Sequence, residues 1–174
     1  MHSYAGIPGT ESVKGFARKD LAAQGKQGGV VSLVYIAAFP VPAGASVTSF
    51  LPDGLDSFMA LENDKMYSKN PREMFYNDLD DETETKYLAE IVSRAPECMQ
   101  SPLTYTAYYD VPTSYILCAR DVGFPIVAQQ QIAGIPGDEV VRTYTVDGGH
   151  FAMLSQPQAV AEITQDVTTR LAGV

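Results

Sequence analysis

Val30-Val31-Ser32-Leu33-Val34-Tyr35-Ile36-Ala37 is a nearly unbroken apolar run with a single serine in it. A run of that length with no alternation is the pattern of a strand buried on both faces of a parallel sheet. Gly28-Gly29 leads into it, and Pro40 and Pro42 end it. Upstream, Ile7 to Gln24 places Val13, Phe16, Ala17 and Leu21 at helical spacing, with Pro8 early and Gly25 at the close. Proline is tolerated in a first turn and glycine favoured just past a last one, so this stretch predicts one helix. Downstream, strand, helix and strand are expected over residues 113–119, 124–133 and 139–146. Ser155-Gln156-Pro157 then starts a final helix with Ala159, Val160, Ile163, Val167 and Leu171 on one face. Strands alternating with helices predict an α/β fold: a parallel sheet flanked by helices.

The alternation is interrupted once. Residues 43–110 hold several short helical pieces and a concentration of aromatic and methionine side chains, so they predict a helical cap inserted into the core formed by 1–42 and 111–174. Asp80-Asp81-Glu82-Thr83-Glu84 precedes Tyr87, Leu88, Ile91 and Val92. Acidic residues there complement the positive end of a helix. A metal site is the poorer reading, because His2 and His150 are the only histidines and neither is near in sequence. Phe50, Phe58, Met59, Met66, Phe75, Tyr76, Tyr105, Tyr108 and Tyr109 fit either the small core of a subdomain or the lining of a ligand pocket. The two readings stay open at this level.

Bulk properties narrow the partners. The 174 residues are 45% hydrophobic and 19% charged, which fits one folded domain. A formal net charge of -9 argues against nucleic acid and anionic membrane as partners, and favours a neutral small-molecule substrate. Cys98 and Cys118 are too few for a disulfide framework. With no charged-then-apolar leader and no long apolar run, a cytoplasmic protein is expected. No cofactor or metal is called for.

Three residues carry the chemistry. Ser3, in Met1-His2-Ser3-Tyr4-Ala5-Gly6, lies just ahead of the first helix. Asp121 follows the apolar Tyr115-Ile116-Leu117-Cys118, at a strand's C-terminal end where α/β sheets collect ligand sites. It is also placed to cap the helix beginning near Phe124. His150 follows Asp147-Gly148-Gly149, on a flexible loop behind a strand. The alternatives are a plain N-terminal serine and a solvated loop histidine.

The stretches His2-Ser3-Tyr4-Ala5-Gly6, Val34-Tyr35-Ile36-Ala37-Ala38-Phe39-Pro40 and Phe75-Tyr76-Asn77-Asp78-Leu79 are joined by Ile116-Leu117-Cys118 with Asp121. Gly148-Gly149-His150 with Met153-Leu154-Ser155-Gln156-Pro157 completes the set. In this order and spacing the chain resembles an α/β-hydrolase of the small-molecule esterase-like branch. The resemblance implies Ser3 as nucleophile, His150 as general base and Asp121 as the acid orienting it. It also implies the Tyr4 N–H as one oxyanion donor. Phe39, Phe75, Tyr76, Tyr105, Tyr108 and Phe151 are the expected substrate contacts. The implied reaction is cleavage of a small neutral ester, lactone or polyketide-like substrate.

The departures from the family pattern are specific. Its G-x-S-x-G reads here as Met1-His2-Ser3-Tyr4-Ala5, with both glycines replaced. The strands that the family places ahead of the serine have no counterpart, so a partial, α/β-hydrolase-like sheet is expected. A homodimer or a complementing N-terminal chain is expected to cover the exposed edge of the strand over 30–37. Two other classes compete: an acid/base enzyme such as a dehydratase, isomerase or cyclase, and a non-catalytic ligand-binding or interaction module.

Overall fold

The computed structural model describes every residue of the chain except 52, 53, 55, 57, 173 and 174. Four of these fall within the expected cap stretch, and that part of it lies outside the described residues. The chain begins strand-like, with His2 forming a parallel bridge to Ile36. A 3-10 turn over Ser3–Ala5 runs into α1 (Gly6–Glu11), and α2 (Arg18–Ala23) follows. The single helix expected over Ile7 to Gln24 is therefore two. The α ladder stops at Ser12, turn bonds of the i→i−3 kind carry the chain to Lys14, and Gly15 at φ 77°, a conformation cheap only for glycine, redirects it before α2.

Strand β1 covers Leu33–Ile36, shorter than the run of 30–37 suggested. Val30 is drawn away to a bridge with Ala17, and Ala37 leaves the strand at φ 40°. The hairpin β2 (Met59–Glu62) and β3 (Lys65–Ser68) comes next, then α3 (Pro71–Tyr76), α4 (Asp81–Leu88) and α5 (Glu97–Gln100). Strand β4 (Thr113–Cys118), α6 (Ile126–Ala133), β5 (Val141–Val146), α7 (Ala152–Ser155) and α8 (Pro157–Ala172) complete the order.

Among the described residues the main sheet has the order β1-β4-β5, all parallel. Central β4 is buried at every position, as a strand covered on both faces must be. Side chains divide by the period of two. Leu33, Tyr35, Tyr115 and Leu117 join α1, α6 and the segment 99–111 in one apolar cluster. Ile36, Ile116, Cys118 and Val146 meet α7 and α8 in another, through Ala152 and Val160. The stripe expected on the last helix is the one that packs, with Val160 and Val167 buried. Tyr35 and Tyr115 stack at 6.2 Å in the first cluster, and their hydroxyls are satisfied by Thr10 Oγ1 at 2.5 Å and the Ala38 carbonyl at 2.8 Å.

The edge of β1 opposite β4 is not bare, contrary to the sequence reading. The Met1 α-amino group donates to the Val34 carbonyl at 2.6 Å, and the Ile36 N–H donates to the Met1 carbonyl at 2.9 Å.

The stretch between β1 and β4 contains the expected helices α3, α4 and α5, and also the β2–β3 hairpin that periodicity did not reveal. Its two-residue turn is Asn63-Asp64, at φ 51° and 59°, a conformation these two residue types tolerate. Asp80 caps α4, accepting from the Thr83 N–H at 2.9 Å, which is what the acidic run serves. Among the described residues no helix is long and apolar enough to cross a membrane.

Candidate active site

The chain passes from the extended His2 (φ -117°, ψ 137°) through Ser3 at φ 51° into α1. A strand, one left-handed residue and a helix make a sharp turn that lifts the Ser3 side chain out of both elements. Such a φ costs a non-glycine residue about 1–3 kcal/mol and persists only where its surroundings impose it. Here the His2 bridge fixes one side and α1 the other. Of the positions after Ser3, the close approach falls on Gly6, not Ala5. A Cβ at Gly6 would lie 2.7 Å from the Phe39 backbone nitrogen, whereas Ala5 is exposed.

Ser3, His150 and Asp121 converge. His150 Nε2 lies 2.9 Å from Ser3 Oγ, and His150 Nδ1 lies 2.7 Å from Asp121 Oδ2. His150 and Asp121 are 4% and 5% exposed, so the pair works in a low dielectric where its attraction is strong. With a carboxylate at Nδ1 the ring keeps its proton there, leaving Nε2 to accept from the serine hydroxyl. The two sequence readings of Asp121 are both realised, since its Oδ1 accepts from the Phe124 N–H at 2.7 Å.

Three further residues hold this geometry, and the sequence reading assigned none of them a role. Gln129 is fully buried on α6. Its Nε2 donates to the carbonyls of Phe124 and Cys118 at 2.6 and 3.1 Å and reaches Asp121 Oδ2 at 3.3 Å, while its Oε1 accepts from the Cys118 N–H at 2.9 Å. It locks the end of β4 to the start of α6 and so sets the Asp121 carboxylate. The signal was available: Gln129, Ile132 and Ala133 share one buried face at i, i+3, i+4.

Asp78, after α3, accepts from the Gly149 N–H at 2.5 Å and ties the histidine loop down. A Cβ at Gly149 would lie 2.5 Å from Asp78 Oδ1 and 2.6 Å from Asn77 Oδ1, so a side chain there would have to push the Asp78 carboxylate off its contact.

His2 is the third. Its Nε2–H donates to the His150 carbonyl at 2.8 Å, and its ring packs against His150 and Phe151 with centroids 4.7 and 4.5 Å apart. Burial first, then the neighbouring His150, lowers its pKa from 6.5 to about 3. A depressed pKa means that the unfolded chain binds the proton more tightly, so stability present above pH 6.5 is lost as pH falls toward 3. We expect His2→Gln, which keeps a donor but cannot titrate, to flatten that loss by a few kcal/mol in urea melts run between pH 7 and pH 4. Wild type and variant losing stability in parallel would contradict the buried neutral ring.

Ser3 opens into a cavity of about 330 Å³. Of the expected substrate contacts, Phe39, Phe75, Tyr76 and Phe151 line it, together with Tyr4 and His150. Tyr105 and Tyr108 do not. Tyr108 is buried, with its hydroxyl donating to the Val41 carbonyl at 3.0 Å, and Tyr105 donates to Asp110 at 2.5 Å. Phe75 packs on the His150 ring with centroids 5.5 Å apart, bringing α3 directly over the histidine.

A profile of the alpha/beta hydrolase family matches residues 1–163. The "Alpha/beta hydrolase nvfD" of Aspergillus novofumigatus is 29% identical over 177 residues, covering 95% of this chain and 67% of the relative. The "Probable hydrolase R7" of a Phoma species is 26% identical over 184 residues, covering 99% of this chain and 68% of its own length. The chain thus spans about two thirds of these curated relatives. Among solved structures, a pyrethroid hydrolase from Sphingobium faniae superposes with a TM-score of 0.73 at 20% identity, over 99% of this chain and 70% of that one. At that identity the likeness speaks for the fold alone.

Proposed function

The chain belongs to the alpha/beta hydrolase family, and from that premise we propose that it cleaves a small ester, lactone or polyketide-like substrate through an acyl-enzyme on Ser3. The observation that carries this reading is the single file of Ser3 Oγ, His150 and Asp121 at 2.9 and 2.7 Å. In this reading His150 takes the hydroxyl proton as Ser3 attacks the carbonyl, and Asp121 stabilises the imidazolium that results. His150 then protonates the leaving alkoxide, and water repeats the sequence on the acyl-enzyme. The Tyr4 N–H, following the nucleophile, is one donor to the oxyanion.

The second donor comes, on this proposal, from outside the matched region. Its source is a second copy in a homodimer, or a chain equivalent to the third of the relatives that the match leaves uncovered. Phe39, Phe75, Tyr76 and Phe151 are the proposed substrate contacts, and the stretch 43–110 is the proposed cap. A cytoplasmic setting fits the two cysteines, which stay unpaired.

A fluorophosphonate probe tests the reading, because it reacts only with an activated serine. Peptide mapping should find the label on Ser3, with labelling slowed at least 100-fold by His150→Ala. Label elsewhere, or undiminished without His150, would remove the hydrolase mechanism. Turnover that survives Ser3→Ala and fails with His150→Ala would replace it with proton-transfer chemistry.

A further inference from the structure

The cavity beside Ser3 is lined mainly by apolar side chains, including Phe39, Met59, Met74, Phe75 and Phe124. Among the described lining residues there is no carboxylate, and Arg94 is the one side chain with a permanent charge. Arg94 is half-buried, and no described residue forms an ion pair with it. Its position is imposed by the cap hairpin. The Met66 N–H donates to the Arg94 carbonyl at 2.8 Å and the Arg94 N–H donates to the Met66 carbonyl at 3.0 Å. Met66 is itself buried, so this pairing anchors the arginine backbone to the wall. The guanidinium acts on the Tyr4 hydroxyl, opposing the rise in its pKa that burial and the Cys98 thiol cause. Ser3 and Arg94 both line this cavity.

A half-buried guanidinium with no counter-ion is an open site for a planar anion. Its fork of N–H donors matches a carboxylate in two parallel hydrogen bonds, and such bonds strengthen as water is excluded. The net charge of -9 opposes an anion only at long range. At physiological salt that repulsion is screened within about 8 Å, so the contact inside the cavity decides recognition.

We propose that Arg94 recognises a carboxylate on the substrate, so that the preferred ester is a half-ester: an apolar chain with an ester at Ser3 and a free acid at Arg94. This rests on the esterase reading above and adds the substrate class to it.

Two chromogenic esters of matched length test it: mono-4-nitrophenyl adipate, which keeps a free carboxylate, and the neutral methyl 4-nitrophenyl adipate. Wild type should favour the half-ester in kcat/KM, and Arg94→Met should lower that preference about 10- to 100-fold, with Arg94→Lys recovering part of it. Calorimetric titration of the Ser3→Ala protein with monomethyl adipate reads the same contact without turnover, and its affinity should fall at least 10-fold when Arg94→Met is added. Equal losses on both esters, or monomethyl adipate binding that ignores Arg94, would overturn the proposal. Absence of turnover on every ester, combined with Arg94-dependent binding of monomethyl adipate, would overturn the esterase reading and leave carboxylate recognition standing.

Discussion

Ser3→Ala should lower ester turnover by about 10⁴-fold or more, because removing the nucleophile of such a triad leaves only binding and oxyanion stabilisation. The fold should be untouched. Ser3 Oγ makes one hydrogen bond, to His150 Nε2, and the backbone at φ 51° is held by the His2 bridge and α1 rather than by the side chain. Ser3→Gly separates the two properties further. Glycine reaches that φ without a Cβ clash, so it should gain about 1 kcal/mol of stability while losing the same activity. A Ser3→Ala variant keeping a tenth of wild-type turnover would end the nucleophile assignment. A Ser3→Gly variant less stable than wild type would end the claim of strain.

Asp121→Asn should lower kcat by about 10⁴-fold with little effect on KM. Asparagine can still accept from the Phe124 N–H through its carbonyl oxygen, so the β4–α6 junction stays capped. What changes is the group facing His150 Nδ1. An amide N–H there favours the tautomer with the proton on Nε2, pointing at Ser3 Oγ and unable to accept from it. Gln129 Nε2, at 3.3 Å, offers that site only another donor and cannot compensate. Steady-state kinetics against a thermal melt decides the matter. A loss below 10-fold with a fallen Tm would reduce Asp121 to a helix cap.

The serine, acid and histidine were legible because each stands where one element hands over to the next. Strand ends and helix starts can be read from apolar runs, prolines and glycines. The parallel sheet was legible for the same reason: Val30 to Ala37 and Tyr115 to Cys118 are too apolar to face water on either side. The limits are equally physical. Val13, Phe16 and Ala17 continue a helical apolar pattern beyond Glu11, where the first helix stops, and nothing in that pattern marks the stop.

Tyr105 and Tyr108 sit in irregular chain, where no period says which way a ring points. They were grouped with the pocket, yet Tyr108 is core and Tyr105 is tied to Asp110. The Asp78–Gly149 contact joins residues 71 positions apart, and nothing local in Gly148-Gly149 identifies its partner. Gln129 is the polar member of a buried helical face, but Gln130 and Gln131 beside it are exposed, and composition alone does not tell the three apart.

The ends of the triad lie far apart along the chain. Ser3 and His150 are separated by 147 positions, and β1 and β4 close in parallel register from Leu33 to Thr113 across the whole cap. Helices and the β2–β3 hairpin are local and form in microseconds, but a parallel pairing across so long a loop must meet its closure entropy before any contact rewards it. During refolding, therefore, most secondary structure precedes the meeting of serine and histidine. Helical signal reports the early collapse of this chain. Competence of Ser3 marks the clock's last tick, when its first residues and its last loop are finally in the same place.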